Sequence, residues 1–196
     1  MKVLVNLMEQ MQILKQSLSD APIIWKGDYP YFIHPITDGV PRLEPNVLQA
    51  IVDLTEPLVD WDNIDIILGI EAMGLPLTAP LAMRTGVPMV IARKRSYGLD
   101  GEVQINQQTG YSKGSIYLND IKAGERIAII DDVLSTGGTM RSVIEGVKQT
   151  KASIENIVIV VEKGDGMQNL KQDYPSIRFD SLVKLHMDGE RIIVTE

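Results

Sequence analysis

Apolar residues fall into two rhythms along this chain. Leu4, Leu7, Met8, Met11, Leu14 and Leu18 recur at intervals of mostly three and four, so the N-terminus is predicted as an amphipathic helix. Four β-branched runs follow: IDIILGI from Ile64, VPMVIA from Val87, RIAII from Arg126 and NIVIVV from Asn156. They are apolar on both faces, the pattern of parallel strands covered by helices on either side. Between the first two lies GLPLTAPLAMRTG, of helical length and closed by Gly86. After the third, MRSVIEGVKQT keeps Val143, Ile144 and Val147 at helical spacing. Repeated strand, helix, strand units predict an α/β fold, a mainly parallel twisted sheet flanked by helices, with ligands at the carboxyl ends of the strands.

Two stretches break the rhythm. FDSLVKLHMDGERIIV places Asp188-Gly189 between apolar runs and predicts a terminal hairpin over residues 178–196. Residues 96–114, SYGLDGEVQINQQTGYSKG, are polar and glycine-rich. A connection of that length reads as a mobile lid or loose β-ribbon, or as an ordinary exposed hairpin. With no internal repeat, low-complexity tract or long linker, the 196 residues are expected to form a single domain. Within it, residues 1–45 make the first helix and a small hood. Trp25, Tyr29, Tyr31 and Phe32 lie close together there, suited either to stacking on a flat ring or to packing the N-terminal segment.

Charge and composition narrow the chemistry. The net charge of -7, from 19 basic and 26 acidic residues, repels polyanions, so nucleic acid is not an expected partner. The absence of cysteine removes disulfides, thiolate zinc sites and thiol nucleophiles, and suits a reducing cytoplasm. The N-terminal apolar stretch is interrupted by Asn6, Glu9 and Gln10, so neither a signal peptide nor a membrane span is expected.

The chemistry-bearing stretch is RIAIIDDVLSTGGTM, where a buried strand meets Asp131, Asp132 and then a glycine loop. Ser135, Thr136, Gly137, Gly138 and Thr139 precede a helix, so backbone N–H groups and hydroxyls can converge on one phosphate. No lysine of a triphosphate loop is present, which favours a phosphomonoester. Side chains alternate along a strand, so both carboxylates reach one ligand only if they stand at the turn leaving the sheet. There they accept hydrogen bonds from a sugar diol or hold Mg²⁺; the alternative is that they cap the following helix. A phosphorylated ribose satisfies both halves of the motif.

The segment IAIIDDVLSTGGT resembles the 5-phosphoribosyl pyrophosphate (PRPP) signature of type I phosphoribosyltransferases. HPITDGVPRLEP from His34, GIEAMGLPL from Gly69, ARKRSYGLDGEV from Ala92, TGYSKGSIYLN from Thr109 and VVEKGDG from Val160 extend it over most of the chain. Together they resemble the archaeal-type hypoxanthine/guanine phosphoribosyltransferases, a family close to the adenine enzymes. The resemblance implies the type I phosphoribosyltransferase fold and purine salvage, in which PRPP and a base give a nucleoside monophosphate and pyrophosphate. It implies ribose contacts at Asp131 and Asp132, and a 5′-phosphate loop at residues 135–139. Pyrophosphate falls to Arg93, Lys94 and the backbone of Glu71, Ala72, Met73 and Gly74. Arg93 and Lys94 read otherwise as a solvated basic patch, and the arginine that adenine enzymes carry in the 71–74 loop is absent.

Base contacts are carried over to Lys163, which resembles the donor to a 6-oxo group, with Glu162 and Tyr31 beside it; a Glu162–Lys163 surface ion pair is the alternative. Ser135 stands where many relatives have an aspartate proposed as general base, which leaves Glu162, Asp165 or no base for that step. Mg²⁺ is expected to be held mainly by the substrate, with Asp131 and Asp132 as the protein groups for it, and a homodimer is the family's usual form. Adenine or xanthine as the base, and a non-catalytic sensor of PRPP or nucleotides, are the alternatives. Gly110-Tyr111-Ser112-Lys113-Gly114 matches the serine-hydrolase elbow, but polar NQQT precedes it and strand-like SIYL follows, where an elbow needs a strand and then a helix. His34 has no nucleophile or metal ligand near it in sequence and is expected to be structural.

Overall fold

Six strands form the central sheet: β3 (Ile66–Ile70), β4 (Met89–Ala92), β7 (Arg126–Leu134), β8 (Ser153–Glu162), β9 (Arg178–Asp188) and β10 (Arg191–Thr195). The computed structural model describes residues 2–27, 29–108, 113–189 and 191–195. The sheet order is β10-β9-β8-β7-β3-β4, parallel throughout except for the antiparallel pair β9–β10. The β-branched runs occupy the centre because both faces are covered: all five residues of β3 are buried, as are Ile127, Ala128, Ile129 and Ile130 of β7.

Helices α1 (Lys2–Ser19), α3 (Pro45–Thr55) and α4 (Leu75–Thr85) supply Leu14, Leu18, Ile51, Leu77 and Leu81 to the core on one face. On the other, α5 (Gly138–Thr150) and α6 (Gly166–Asp173) supply Val143, Ile144, Val147 and Leu170. Each such side chain removed from water stabilises the fold by about 1.5–3 kcal/mol. Gly86 closes α4 in the left-handed conformation at φ 76, as its position after the helical run predicts. Among the described residues, no helix is long and apolar enough to cross a membrane.

Two small ribbons flank the sheet. One pairs β1 (Ile23–Lys26) with β2 (Tyr29–Phe32) and leads into the short helix α2 (Pro35–Asp38). Of the four clustered aromatics, the three whose side chains are described differ in burial. Phe32 is buried, Tyr31 is half-buried and Trp25 is 53% exposed; the side chain of Tyr29 lies outside the described residues. His34 is the N-cap of α2: the Ile36 N–H donates to Nδ1, so the ring proton resides on Nε2 and reaches Ser17 Oγ at 2.9 Å. Burial pushes its pKa down to about 4 against the pull of Asp38, which gives it the structural part expected.

The other ribbon pairs β5 (Val103–Gln108), inside the 96–114 segment read as lid or hairpin, with β6 (Lys113–Leu118), which begins at that segment's end. Its base is buried: Ile105, Ile116 and Leu118 pack with Val143, Ile144 and Val147 of α5. Gly146 provides the notch, since a Cβ there would collide with the Ile105 side chain. The Arg93 and Tyr117 backbones exchange hydrogen bonds of 2.9 and 2.7 Å, which ties β6 to the end of β4. Residues 109–112, which carry most of the G-x-S-x-G match and part of the expected lid, lie outside the described residues.

Candidate active site

Strand β7 corrects one expectation. Asp131 and Asp132 do not stand at a turn; they are inside the strand, which continues through Val133 and Leu134. They are reachable because the neighbours differ in length. Pairing with β3 ends at Ile130, whereas pairing with β8 continues from Asp131↔Ile159 to Leu134↔Glu162. Past Ile130 one flank of β7 is therefore open. Nor do the carboxylates cap α5, whose N-cap is Gly137 with no side-chain bond.

Burial dominates the electrostatics of the pair. Asp131 and Asp132 are 9% and 8% exposed. Burial, and then the neighbouring Asp132, raise Asp131 well above the ordinary carboxylate range, while Lys94 opposes the rise. Burial brings Asp132 up to about 6, and Asp38 of α2 adds to the push. Burial thus disfavours the charged form of both carboxyl groups, and a cation or hydroxyl donors beside the pair would offset that cost.

The loop after β7 is set by backbone contacts. Gly137 takes φ 80 and opens α5, whose N-terminal N–H groups face the loop. The Lys163 N–H donates to the Leu134 carbonyl at 2.8 Å and the Gly166 N–H to the Ser135 carbonyl at 3.0 Å. Gly166 is required by close approach: a Cβ there would lie 2.7 Å from the Thr136 carbonyl carbon and 2.8 Å from the Gly137 nitrogen. A cavity of about 170 Å³ is lined by residues 135–140 together with Asp131, Val133 and Leu134. A wider one of about 440 Å³ has Glu71, Lys94, Asp131, Asp132 and Thr139 among its lining. Asp131, Val133 and Thr139 line both, so the two cavities meet at Asp131, with Asp132 on the wider side.

At the ends of β3 and β4 the loop at Glu71, Ala72, Met73 and Gly74 meets Arg93 and Lys94. The Glu71–Ala72 peptide is cis. Gly74 lies against the sheet, where a Cβ would come 2.7 Å from the Ile70 nitrogen and 3.0 Å from the Ile130 carbonyl oxygen. Met73 packs against the hood, its Sδ 3.2 Å from where a Cβ of Gly39 would stand. Arg93 is half-buried and Lys94 is exposed. Arg93 Nε pairs with Glu71 Oε2 at 3.1 Å and its guanidinium lies over the Tyr97 ring, while Lys94 lines the cavity.

The expected base contacts separate. Lys163 Nζ lies 5.3 Å from the Phe32 ring centroid, which joins the turn after β8 to the hood. Tyr31 donates its hydroxyl to Asp38 Oδ1 at 2.8 Å. Glu162 turns the other way: Ser181 donates to Oε2 at 2.8 Å, and Lys184 pairs with Oε1 at 3.4 Å. It lines a different cavity, with Lys184, Lys171 and Gln172, so the Glu162–Lys163 ion pair is replaced by Glu162–Lys184. The strand's end is the cause: Glu162 is the last residue of β8 and is held by side chains of β9, whereas Lys163 stands in the turn that follows. The sequence reading missed Asp38 and the Glu71 carboxylate. Asp38 follows a Pro-Ile-Thr start to α2, a signal for a short capped helix near the site.

The fold and this geometry can be set beside known proteins. The phosphoribosyl transferase domain model matches residues 42–187. A hypoxanthine/guanine phosphoribosyltransferase of Methanohalophilus mahii is 46% identical over 186 residues, covering 95% of this chain and 96% of that protein. The protein of the same description from Aciduliprofundum boonei is 49% identical over 162 residues, covering 83% and 88%. Among solved structures, adenine phosphoribosyltransferase from Saccharomyces cerevisiae superposes with a TM-score of 0.71 at 22% identity, covering 89% of this chain and 99% of that one. The Leishmania donovani adenine enzyme gives 0.72 at 21%, covering 89% and 79%. At such identities the structural likeness speaks for the fold alone.

Proposed function

This chain belongs to the phosphoribosyltransferase family, and from that premise we propose that it transfers the 5-phosphoribosyl group of PRPP to hypoxanthine or guanine, giving a nucleoside monophosphate and pyrophosphate. The observation that carries the reading is the meeting of the two cavities at Asp131, which puts a diol acceptor between a phosphate loop and Lys94. The 46% identity to a hypoxanthine/guanine enzyme over nearly its full length supports the choice of base.

In this reading residues 135–139 and the N-terminus of α5 hold the 5′-phosphate by backbone N–H groups and hydroxyls. Asp131 and Asp132 accept the ribose hydroxyls and stabilise positive charge developing on the sugar ring. Lys94 and the loop at residues 71–74 receive the pyrophosphate. Lys163 donates to the purine 6-oxo group, with Phe32 and Tyr31 on the hood side. Glu162 is left out of the base contacts because Ser181 and Lys184 occupy its carboxylate. The ribbon β5–β6 covers the cleft during turnover and excludes water from the reacting carbon.

A divalent cation suits the carboxylate pair, because burial raises both groups and nearby positive charge would offset that cost. In this reading Mg²⁺ is held mainly by substrate oxygens, with Asp131 and Asp132 as the protein groups beside it. When bound, Mg²⁺ supplies charge neutralisation on the departing pyrophosphate. A homodimer in the cytoplasm completes the proposal.

The test is direct: purified protein with PRPP and Mg²⁺, offered hypoxanthine, guanine, adenine and xanthine separately, with nucleotide formation followed. Inosine and guanosine monophosphates are expected, with adenine a poor substrate. Nucleotide from none of the bases would overturn the enzyme reading in favour of a PRPP sensor on the same fold.

Gly166→Ala tests the phosphate loop. Forcing a methyl group into the Thr136 backbone costs about 1–3 kcal/mol. A rise of about tenfold in the KM for PRPP, with a melting temperature several degrees lower, is expected. A variant with unchanged KM would separate this turn from the phosphate site.

A further inference from the structure

The loop expected to receive pyrophosphate begins with a carboxylate. In an anion site that is an electrostatic penalty, because the Glu71 charge repels the ligand through the same cavity that Lys94 lines. Its contacts give it another part. Oε2 accepts the Lys94 backbone N–H at 3.0 Å and pairs with Arg93 Nε at 3.1 Å. The Glu71 N–H in turn donates to the Ala92 carbonyl at 3.0 Å. Residue 71 is thus tied by backbone and side chain to Ala92, the last residue of β4, and to the two residues that follow it.

From this geometry we propose that Glu71 is a positioning residue of the pyrophosphate subsite. It commits the Arg93 guanidinium to itself and fixes the backbone from which the Lys94 ammonium enters the cavity. The inference rests on the phosphoribosyltransferase reading and refines it: Lys94 is the ligand-contacting cation, while Arg93 balances Glu71. Arg93 is further immobilised by its paired backbone bonds with Tyr117 and by its position over the Tyr97 ring, 5.6 Å from the centroid. Without the Glu71 clasp, residue 94 is a lysine on a loop end, with rotamer freedom to lose whenever an anion binds.

The proposal makes a prediction opposite in sign to simple electrostatics. Removing a negative charge from an anion site tightens anion binding; removing a positioning group weakens it. Inorganic pyrophosphate titrated into the free enzyme by calorimetry reads the difference without any turnover. Glu71→Ala is expected to bind pyrophosphate about tenfold more weakly than the parent, and to raise the KM for PRPP by a similar factor, although it is the less acidic protein. Glu71→Gln keeps an acceptor for the Lys94 N–H and drops the charge, so it is expected to bind at least as tightly as the parent. Inosine monophosphate, which lacks the pyrophosphate, is expected to bind both variants equally.

Pyrophosphate affinity that is unchanged or tighter in Glu71→Ala would overturn the proposal, as would equal weakening of inosine monophosphate, which marks a general structural defect. Should Glu71→Ala fail to fold, Glu71→Asp keeps the charge but shortens the reach to the Lys94 N–H, and a pyrophosphate affinity unchanged from the parent would overturn the proposal. A parent protein that binds pyrophosphate but forms no nucleotide would overturn the enzyme reading and leave the test of Glu71 intact.

Discussion

Asp132→Asn is expected to lower kcat/KM by about two to three orders of magnitude while making the free protein more stable at neutral pH. The activity loss follows from charge. The sugar carbon becomes cationic as pyrophosphate departs, and a carboxylate fixed in a site closed to water stabilises that charge where an amide cannot; removing one such preorganised group costs about 3–4 kcal/mol. The stability gain follows from burial. The folded protein raises Asp132 to about 6 from an ordinary carboxylate value, so it binds protons more tightly than the unfolded chain. Stability therefore falls as pH rises through the interval from about 4 to about 6, by up to about 3 kcal/mol. Asparagine has no charge to bury and escapes that loss. The melting temperature of Asp132→Asn is thus expected above the parent's at pH 7, with the gap closing below pH 4. Turnover at the parental rate would contradict the role given to the pair. A gap independent of pH would contradict the burial argument.

Lys163→Met is expected to lower kcat/KM for hypoxanthine and guanine by about 30- to 100-fold and to change adenine far less. Methionine keeps an unbranched stem beside the Phe32 ring, so what is lost is the charged donor rather than the packing. A 6-oxopurine left with an unmet acceptor loses a charge-assisted hydrogen bond; adenine, with an amino group at that position, does not. Kinetics with the three bases at saturating PRPP decide it. Equal loss for all three would mean that Lys163 orders the hood rather than reads the base.

Much of this arrangement was legible in the sequence because its signals are local. The four β-branched runs became β3, β4, β7 and β8, the helix after Gly138 kept its apolar face, and Asp188-Gly189 made the turn from β9 to β10. What escaped depends on partners distant in the chain. That β7 continues through its aspartates cannot be read from β7 alone, because the opening beside them is set by where β3 stops. Glu162 was placed with Lys163 because they are adjacent in sequence; the strand sends it to Ser181 and Lys184 instead. The 96–114 segment looked detached because it is polar and glycine-rich, yet Ile105 within it, and Ile116 and Leu118 just beyond it, join the ribbon to α5 through the notch at Gly146.

The two hydrogen bonds that join residues 134–135 to residues 163–166 carry one more consequence. They make the loop assigned to phosphate and the turn assigned to the base parts of one bracket, rather than two jaws that adjust separately. Under the proposed function such a bracket works as a calliper, with the 5′-phosphate end and the purine end of the nucleotide held at one fixed separation.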